Sequence, residues 1–346
     1  MATMKSVQTG KQNNIELVDI ERPVPGPRDC LVQIRACGIC GTDVSFLHMG
    51  GIPFGPGGSM VSLPLGHEPA GEVVEVGSEV IGLKVGDRVV VNPQAAPSGI
   101  IGCGGKLGGM RDYLLIEDAV VGKSVAVFPD TVPFRVAALN EPMAVARHCV
   151  NRSEAKPTDK VVVFGAGPIG LGVTIWLKLR GVEHVAVADV IPGRLEAALA
   201  VGADAVINSA TEDITARLAE LHGSAANALG QPRSGTDIYI DAAGVPAVFE
   251  ATIAAAKWAA RMVMVAVQRK SEFDLGGMLR SELTLIASQG YPTEIFEVTP
   301  ELGAHQDRFA KLISHRVPFS EVERAFDLAL TPGAAEKVIV TFGDQP

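Results

Sequence analysis

At 346 residues the chain is long enough for about two domains, each burying its own core. Hydrophobic residues make up 47% and charged residues 20%, a globular profile with no acidic or basic block of the kind that forms a disordered tail. The net charge of -9 repels polyphosphate and offers no extended basic surface, so no nucleic-acid partner is expected.

No apolar run follows Lys5, so no secretory signal is read and a cytoplasmic location is expected. The longest apolar stretch, 161–177, is interrupted by glycines and a proline and is short for a bilayer span, so no membrane partner is expected. Cys30, Cys37, Cys40, Cys103 and Cys149 form an odd, unevenly spaced set, which predicts reduced thiols with at least one on metal.

In chain order, short β-branched runs over 31–35, 71–76, 87–92 and 113–117, separated by Gly, Pro and Asp, predict an irregular antiparallel barrel. The glycine-rich stretch 99–109 reads as a loop, and 136–150 has helical spacing before the punctuation of 156–159. From Lys160 the texture changes. Apolar strands over 161–164, 184–188, 205–207 and 238–241 alternate with helices over 168–180 and 194–201, which predicts an α/β fold with a doubly wound parallel sheet. Strand-like runs follow over 261–267 and 283–287, helical ones over 309–314 and 322–330, and a last strand over 337–342.

Val161 to Phe164 runs as a buried strand into Gly165-Ala166-Gly167-Pro168-Ile169-Gly170 and then a helix. The first glycine makes the tight turn, the second lets a pyrophosphate approach the backbone, and the third permits close helix packing. Phosphate then rests on the helix N-terminus. Asp189 ends the next strand, where its carboxylate accepts hydrogen bonds from adenosine ribose and meets a 2'-phosphate with like charge. Arg194 is placed to stack on adenine or reach a phosphate, and NAD is favoured over NADP. Ala243, Val265 and Val267 complete the expected cofactor residues.

Cys40 and the later pair His67-Glu68, each beside a glycine, offer the thiolate, imidazole and carboxylate of a catalytic zinc that keeps one position open. Adjacent strand residues point to opposite faces, so His67 and Glu68 share a metal only if the backbone twists between them. Cys37-Gly38-Ile39-Cys40 also begins like a structural zinc half-site, but no second close cysteine pair follows.

Cys37-Gly38-Ile39-Cys40-Gly41-Thr42-Asp43, Gly66-His67-Glu68, Gly86-Asp87-Arg88-Val89, Glu141-Pro142 and the glycine turn, in this order, resemble the zinc-dependent medium-chain dehydrogenases, especially the sorbitol, idonate and threonine dehydrogenase branch. The resemblance covers nearly the whole chain. It implies a GroES-like catalytic domain over 1–152, a Rossmann domain over 153–289 and a return to the first domain over 290–346, with a catalytic zinc in the cleft between them. Cys40 and His67 are then zinc ligands, and Glu68 or Glu141 completes the set. Asp43 would accept the distal N–H of His67, and Thr42 would relay the proton. Zinc lowers the pKa of a substrate hydroxyl and hydride passes to the nicotinamide.

Two departures narrow that expectation. Ser45 stands where threonine and sorbitol dehydrogenases commonly carry His, which argues against threonine as substrate, and His48 reads as a loop histidine. Only Cys103 remains where many relatives hold a structural zinc on four cysteines, so one zinc per chain is expected. A secondary alcohol of a polyol or sugar acid is the expected substrate, with Thr42, Phe46 and Tyr291 as pocket residues. The family implies a homodimer or homotetramer, with 261–267 and 274–285 as candidate contacts. A zinc-free NADPH quinone or enone reductase and a non-catalytic dinucleotide-binding protein are the alternatives.

Overall fold

The computed structural model describes residues 2–53, 58–267 and 272–343. Contacts divide the chain into two units, Met1–Glu141 with Ile295–Pro346, and Pro142–Glu294. The helix Asn140–Ser153 straddles the first limit, so the change of unit falls within a helix rather than at the punctuation of 156–159.

In the first unit, Thr3–Thr9 and Ile15–Glu21 form an antiparallel hairpin that the sequence reading does not single out. The main sheet has seven strands. Its order is Ile313–Pro318, Lys337–Thr341, Cys30–Gly38, Glu68–Val76, Arg88–Val91 and Val125–Val127, with Tyr113–Ile116 also paired to Cys30–Gly38. Only the pair Ile313–Pro318 and Lys337–Thr341 is parallel. Cys30–Gly38 is the hub because most of its side chains on both faces are buried, so one strand serves several neighbours. Val32, Ile34, Leu114, Phe326 and Val340 belong to the core it anchors.

The helix expected over 309–314 does not form. A helix Gln306–Phe309 and a 3-10 turn Ala310–Leu312 give way to the strand Ile313–Pro318. Pairing along Lys337–Thr341 and burial of Val317 outweigh the local helical spacing. The helix Val322–Leu330 lies where its periodicity puts it.

The second unit carries a six-stranded, all-parallel sheet in the order Ala205–Asn208, His184–Asp189, Lys160–Phe164, Ile238–Asp241, Arg261–Met264, Thr284–Ala287. The chain starts at the centre, winds outward, returns and winds outward the other way, leaving a crevice at the C-terminal ends of Lys160–Phe164 and Ile238–Asp241. Val161, Val162 and Val163 are fully buried, each stabilising the sheet by about 1.5–3 kcal/mol. The strand expected over 261–267 stops at Met264, because the N–H groups of Val265 and Ala266 turn back to the Asp241 carbonyl at 3.0 and 3.1 Å. Among the described residues no helix is long and apolar enough to cross a membrane.

Candidate functional site

Cys40 caps the helix Gly41–Met49 in extended backbone, and Asp43, in the first turn, accepts the Cys40 N–H at 2.9 Å through Oδ2. Through Oδ1 the same carboxylate accepts the Gly66 N–H at 3.2 Å. Asp43 is fully buried and therefore ties together two segments that are distant in sequence. Its Oδ1 lies 3.7 Å from His67 Nδ1, longer than a hydrogen bond, so its backbone ties are closer than the histidine contact the sequence reading expects.

Gly66 has φ +88, and a Cβ there would lie 2.8 Å from the Met110 nitrogen. Only glycine suits that position. His67 follows this left-handed residue and the strand begins at Glu68, so the two side chains are not neighbours on a regular strand. The Cys40 sulfur, a His67 nitrogen and a Glu68 oxygen all lie within 4.8 Å of one another. Ligand atoms around a tetrahedral zinc are separated by about 3.5 Å, so small side-chain shifts suffice.

The donor set fits a cation. His67 and Glu68 are 5% and 1% exposed, and among the described residues neither His67 Nδ1 nor Glu68 Oε1 has a hydrogen-bond partner. Leaving such atoms unsatisfied costs roughly 1–3 kcal/mol each, which a bound metal would remove. Burial disfavours a charged imidazole, yet Asp43 and Cys40 raise the His67 pKa well above its ordinary value. The pocket is thus negative in potential.

Lys337, which the sequence reading does not identify, answers part of that charge. It is 1% exposed, donates to the Ile39 carbonyl at 2.9 Å and forms an ion pair with Glu68 Oε2. The strand Lys337–Thr341 brings it there by pairing antiparallel with Cys30–Gly38. A Cβ on Gly38 would intrude on the Glu68 carboxylate and lie 2.9 Å from Lys337 Cε, so the missing side chain makes room for the pair. A lysine opening an otherwise apolar strand is the only sequence signal.

Glu141 is 9% exposed in the first turn of Asn140–Ser153 and stands outside the close three-residue group. Burial foremost raises the Cys103 pKa, and burial opposes but Glu68 foremost raises that of Lys337, with Glu141 adding least to each. Thr42 Oγ1 is 3.7 Å from Cys40 Sγ. Cys37 is fully buried, its thiol pushed up by burial and directed at the Gly38 carbonyl. Cys103 lies in the glycine-rich loop, whose Gly109 N–H reaches the Gly66 carbonyl at 2.7 Å. His48 sits in the last turn of a helix, not in a loop, with Nδ1 2.6 Å from Asn13 Oδ1, and Ser45 bonds the Gly41 carbonyl. Phe46 packs against the first unit's core, and Tyr291 is buried in the second unit.

In the second unit, Gly165 turns with φ +95 beside Ala242 and Ala243, and a Cβ on Gly170 would strike the Gly165 carbonyl. Gly167 caps the helix Pro168–Leu179, with Pro168 at its first position and Ile169 within its first turn. Asp189 accepts the Ala166 N–H at 2.7 Å and the Ile191 N–H at 2.9 Å, and Arg194 stands 4.0 Å away. Ala243 donates to Asp241 Oδ1 at 3.0 Å, Val265 follows the next strand, and Val267 is 87% exposed.

A zinc-binding dehydrogenase family model matches residues 168–303, and an alcohol dehydrogenase GroES-like domain model matches 26–126. The (R,R)-butanediol dehydrogenase of Bacillus subtilis (strain 168) is 31% identical, covering 97% of this chain and 99% of its own. A zinc-binding dehydrogenase from Sinorhizobium meliloti 1021 bound to NADP superposes with TM-score 0.80 at 28% identity, covering 99% of this chain and 100% of its own. A solved structure named as a short chain alcohol dehydrogenase, from Escherichia coli CFT073 and complexed with NADH, gives TM-score 0.81 at 27% identity, with the same coverage. With such a relative aligned over nearly its whole length, the chain belongs to the zinc-type medium-chain alcohol dehydrogenase family.

Proposed function

We propose that this chain uses one zinc ion and NAD to oxidise a secondary hydroxyl of a polyol or sugar acid to the ketone. The observation that carries the reading is the buried group of Cys40, His67 and Glu68. Its donor set, one sulfur, one nitrogen and one oxygen, is that of a catalytic zinc with an open position. Glu68 is the favoured third ligand because its Oε1 has no hydrogen-bond partner among the described residues while Oε2 is held by Lys337.

Zinc bound there would act as a Lewis acid that lowers the pKa of the substrate hydroxyl. The rest falls to the protein. Asp43 fixes Cys40 and Gly66 at once, so the ligands are pre-organised, and Lys337 limits the mutual repulsion of thiolate and carboxylate. Thr42 presents a rotatable hydroxyl beside Cys40 that can pass on the substrate proton. Gly165, Gly167 and Gly170 admit a pyrophosphate to the helix start.

Asp189 supports NAD over NADP. Two backbone N–H groups hold its carboxylate, whose remaining lone pairs can accept ribose hydroxyls, while its charge opposes a 2'-phosphate. For the substrate, Glu141, outside the three-residue group, is an acceptor for a further hydroxyl, and a similar solved structure is named for 2R,3R-butanediol, a vicinal diol of two secondary alcohols.

Polyols, sugar acids, secondary alcohols and short primary alcohols, each tried with NAD and with NADP before and after chelation, test the reading. Turnover of a polyol or sugar acid with NAD, abolished by chelation and restored by zinc, is the expected result. Activity confined to primary alcohols contradicts the substrate class, and activity that survives complete metal removal contradicts the mechanism.

A further inference from the structure

The first unit contains a cavity of about 740 Å³ that shares no lining residue with the cluster of Cys40, Thr42, His67, Glu68 and Glu141. Arg35, Arg88, Arg135 and Arg316 meet in its walls, with Asp130 the one carboxylate among the described lining residues. Four arginines around one hollow run against the charge of a chain that is -9 overall.

Their local chemistry is specific. Arg88, at the head of the strand Arg88–Val91, spends both terminal nitrogens on the carbonyls of Asp130 and Val132, and its plane lies 4.0 Å from the Phe134 ring centre. Arg35, within Cys30–Gly38, reaches Glu72 at 3.4 Å. The Nε groups of Arg35 and Arg88 are buried and have no hydrogen-bond partner among the described residues. Desolvation also pulls the Arg88 guanidinium below its ordinary pKa, against the pull of Asp130 and Glu72. Arg316 and Thr341 add an exposed cation and a hydroxyl from the two neighbouring parallel strands.

We propose that this cavity binds a small phosphorylated molecule, with its phosphate lodged between Arg35 and Arg316, while Arg88, whose terminal nitrogens are held by backbone carbonyls, adds charge. A phosphate supplies several clustered acceptor oxygens, and the forked guanidinium is the side chain that matches them. The hollow is far larger than a phosphate alone and falls within the range of ligand sites, about 300–1,000 Å³, leaving room for a sugar-sized or nucleoside-sized body. The inference does not depend on which alcohol the protein oxidises.

The test uses zinc-loaded protein saturated with NAD, so that the dinucleotide turn is already filled, at fixed ionic strength. Calorimetric titration with inorganic phosphate, a hexose 6-phosphate and citrate is compared among the wild type, Arg316→Gln and the Arg35→Gln/Arg316→Gln double variant. Saturable binding of the phosphate probes is expected, weakened about tenfold in Arg316→Gln and further in the double variant, with NAD affinity unchanged. Arg316 is exposed, so its variant tests the site even if loss of the Arg35–Glu72 pair impairs folding. Absence of saturable binding, binding unaltered in Arg316→Gln, or citrate binding more tightly than either phosphate probe overturns the proposal.

Discussion

In the second unit the nucleotide-type turn is one continuous piece of chain, in which a strand, three glycines and a helix follow one another from Lys160 to Leu179. In the first unit the metal-type cluster draws on Cys40, on His67 and Glu68, and on Lys337, almost a full chain length away. The turn needs only local backbone geometry. The cluster needs the hub strand Cys30–Gly38, whose pairing with Glu68–Val76 and Lys337–Thr341 delivers the carboxylate and its lysine to the same point. A locally built site should fail locally, whereas an assembled one should be sensitive to changes in residues that touch no substrate.

Three experiments press on that contrast. Gly170→Ala puts a methyl group against the Gly165 carbonyl, so NAD affinity should fall by about a hundredfold while zinc content stays at the wild-type level. Cofactor titration beside elemental analysis checks it, and loss of zinc in this variant would show that the units are not independent.

The second experiment is a pH series on unfolding. His222 is 1% exposed, and burial, with help from His184 and Lys160, lowers its pKa from 6.5 to about 4. The unfolded chain therefore takes up a proton that the folded one refuses. Stability from this group is complete above the unfolded value of 6.5 and is lost as the pH falls towards 4, by up to roughly 3 kcal/mol. Denaturant unfolding of the wild type and His222→Gln should show the acid sensitivity of the second unit flattened in the variant. An unchanged slope between these pH values would remove His222 from the account.

The third change is the mildest. Asp43→Asn keeps the shape of the side chain but turns one of its two acceptor oxygens into a donor, so the Cys40 or the Gly66 N–H loses its partner. Zinc affinity, measured by competition with a chelator, should weaken about tenfold with the fold and NAD binding intact. Affinity equal to the wild type would mean that the backbone ties do not position the ligands.

What the sequence reveals follows the same division. The glycine turn and Asp189 are legible because strand, turn and helix are adjacent in the chain, and local sterics dictate each glycine. Cys40, His67 and Glu68 are legible as residue types, and the left-handed Gly66 breaks the strand alternation before His67-Glu68 through a conformation that no spacing rule displays. Lys337 is not legible as a partner of Glu68, since the relation exists only through antiparallel pairing of distant strands. Asp43 is found, but its closest bonds are to backbone N–H groups, which motif reading does not see. The misread helix over 309–314 has the same origin, because the pairing that makes Ile313–Pro318 a strand lies elsewhere in the chain.

If Cys40, His67 and Glu68 hold one catalytic zinc, the cofactor binds through separate residues and the two sites can be emptied one at a time. Zinc content and NAD affinity, measured together on the wild type and on Cys40→Ala after removal of loosely held metal, test it most directly. One zinc per chain is expected in the wild type and none in Cys40→Ala, with NAD affinity unchanged and alcohol oxidation reduced by about a thousandfold or more. Two tightly held zinc ions in the wild type, or full zinc content in Cys40→Ala, would contradict it.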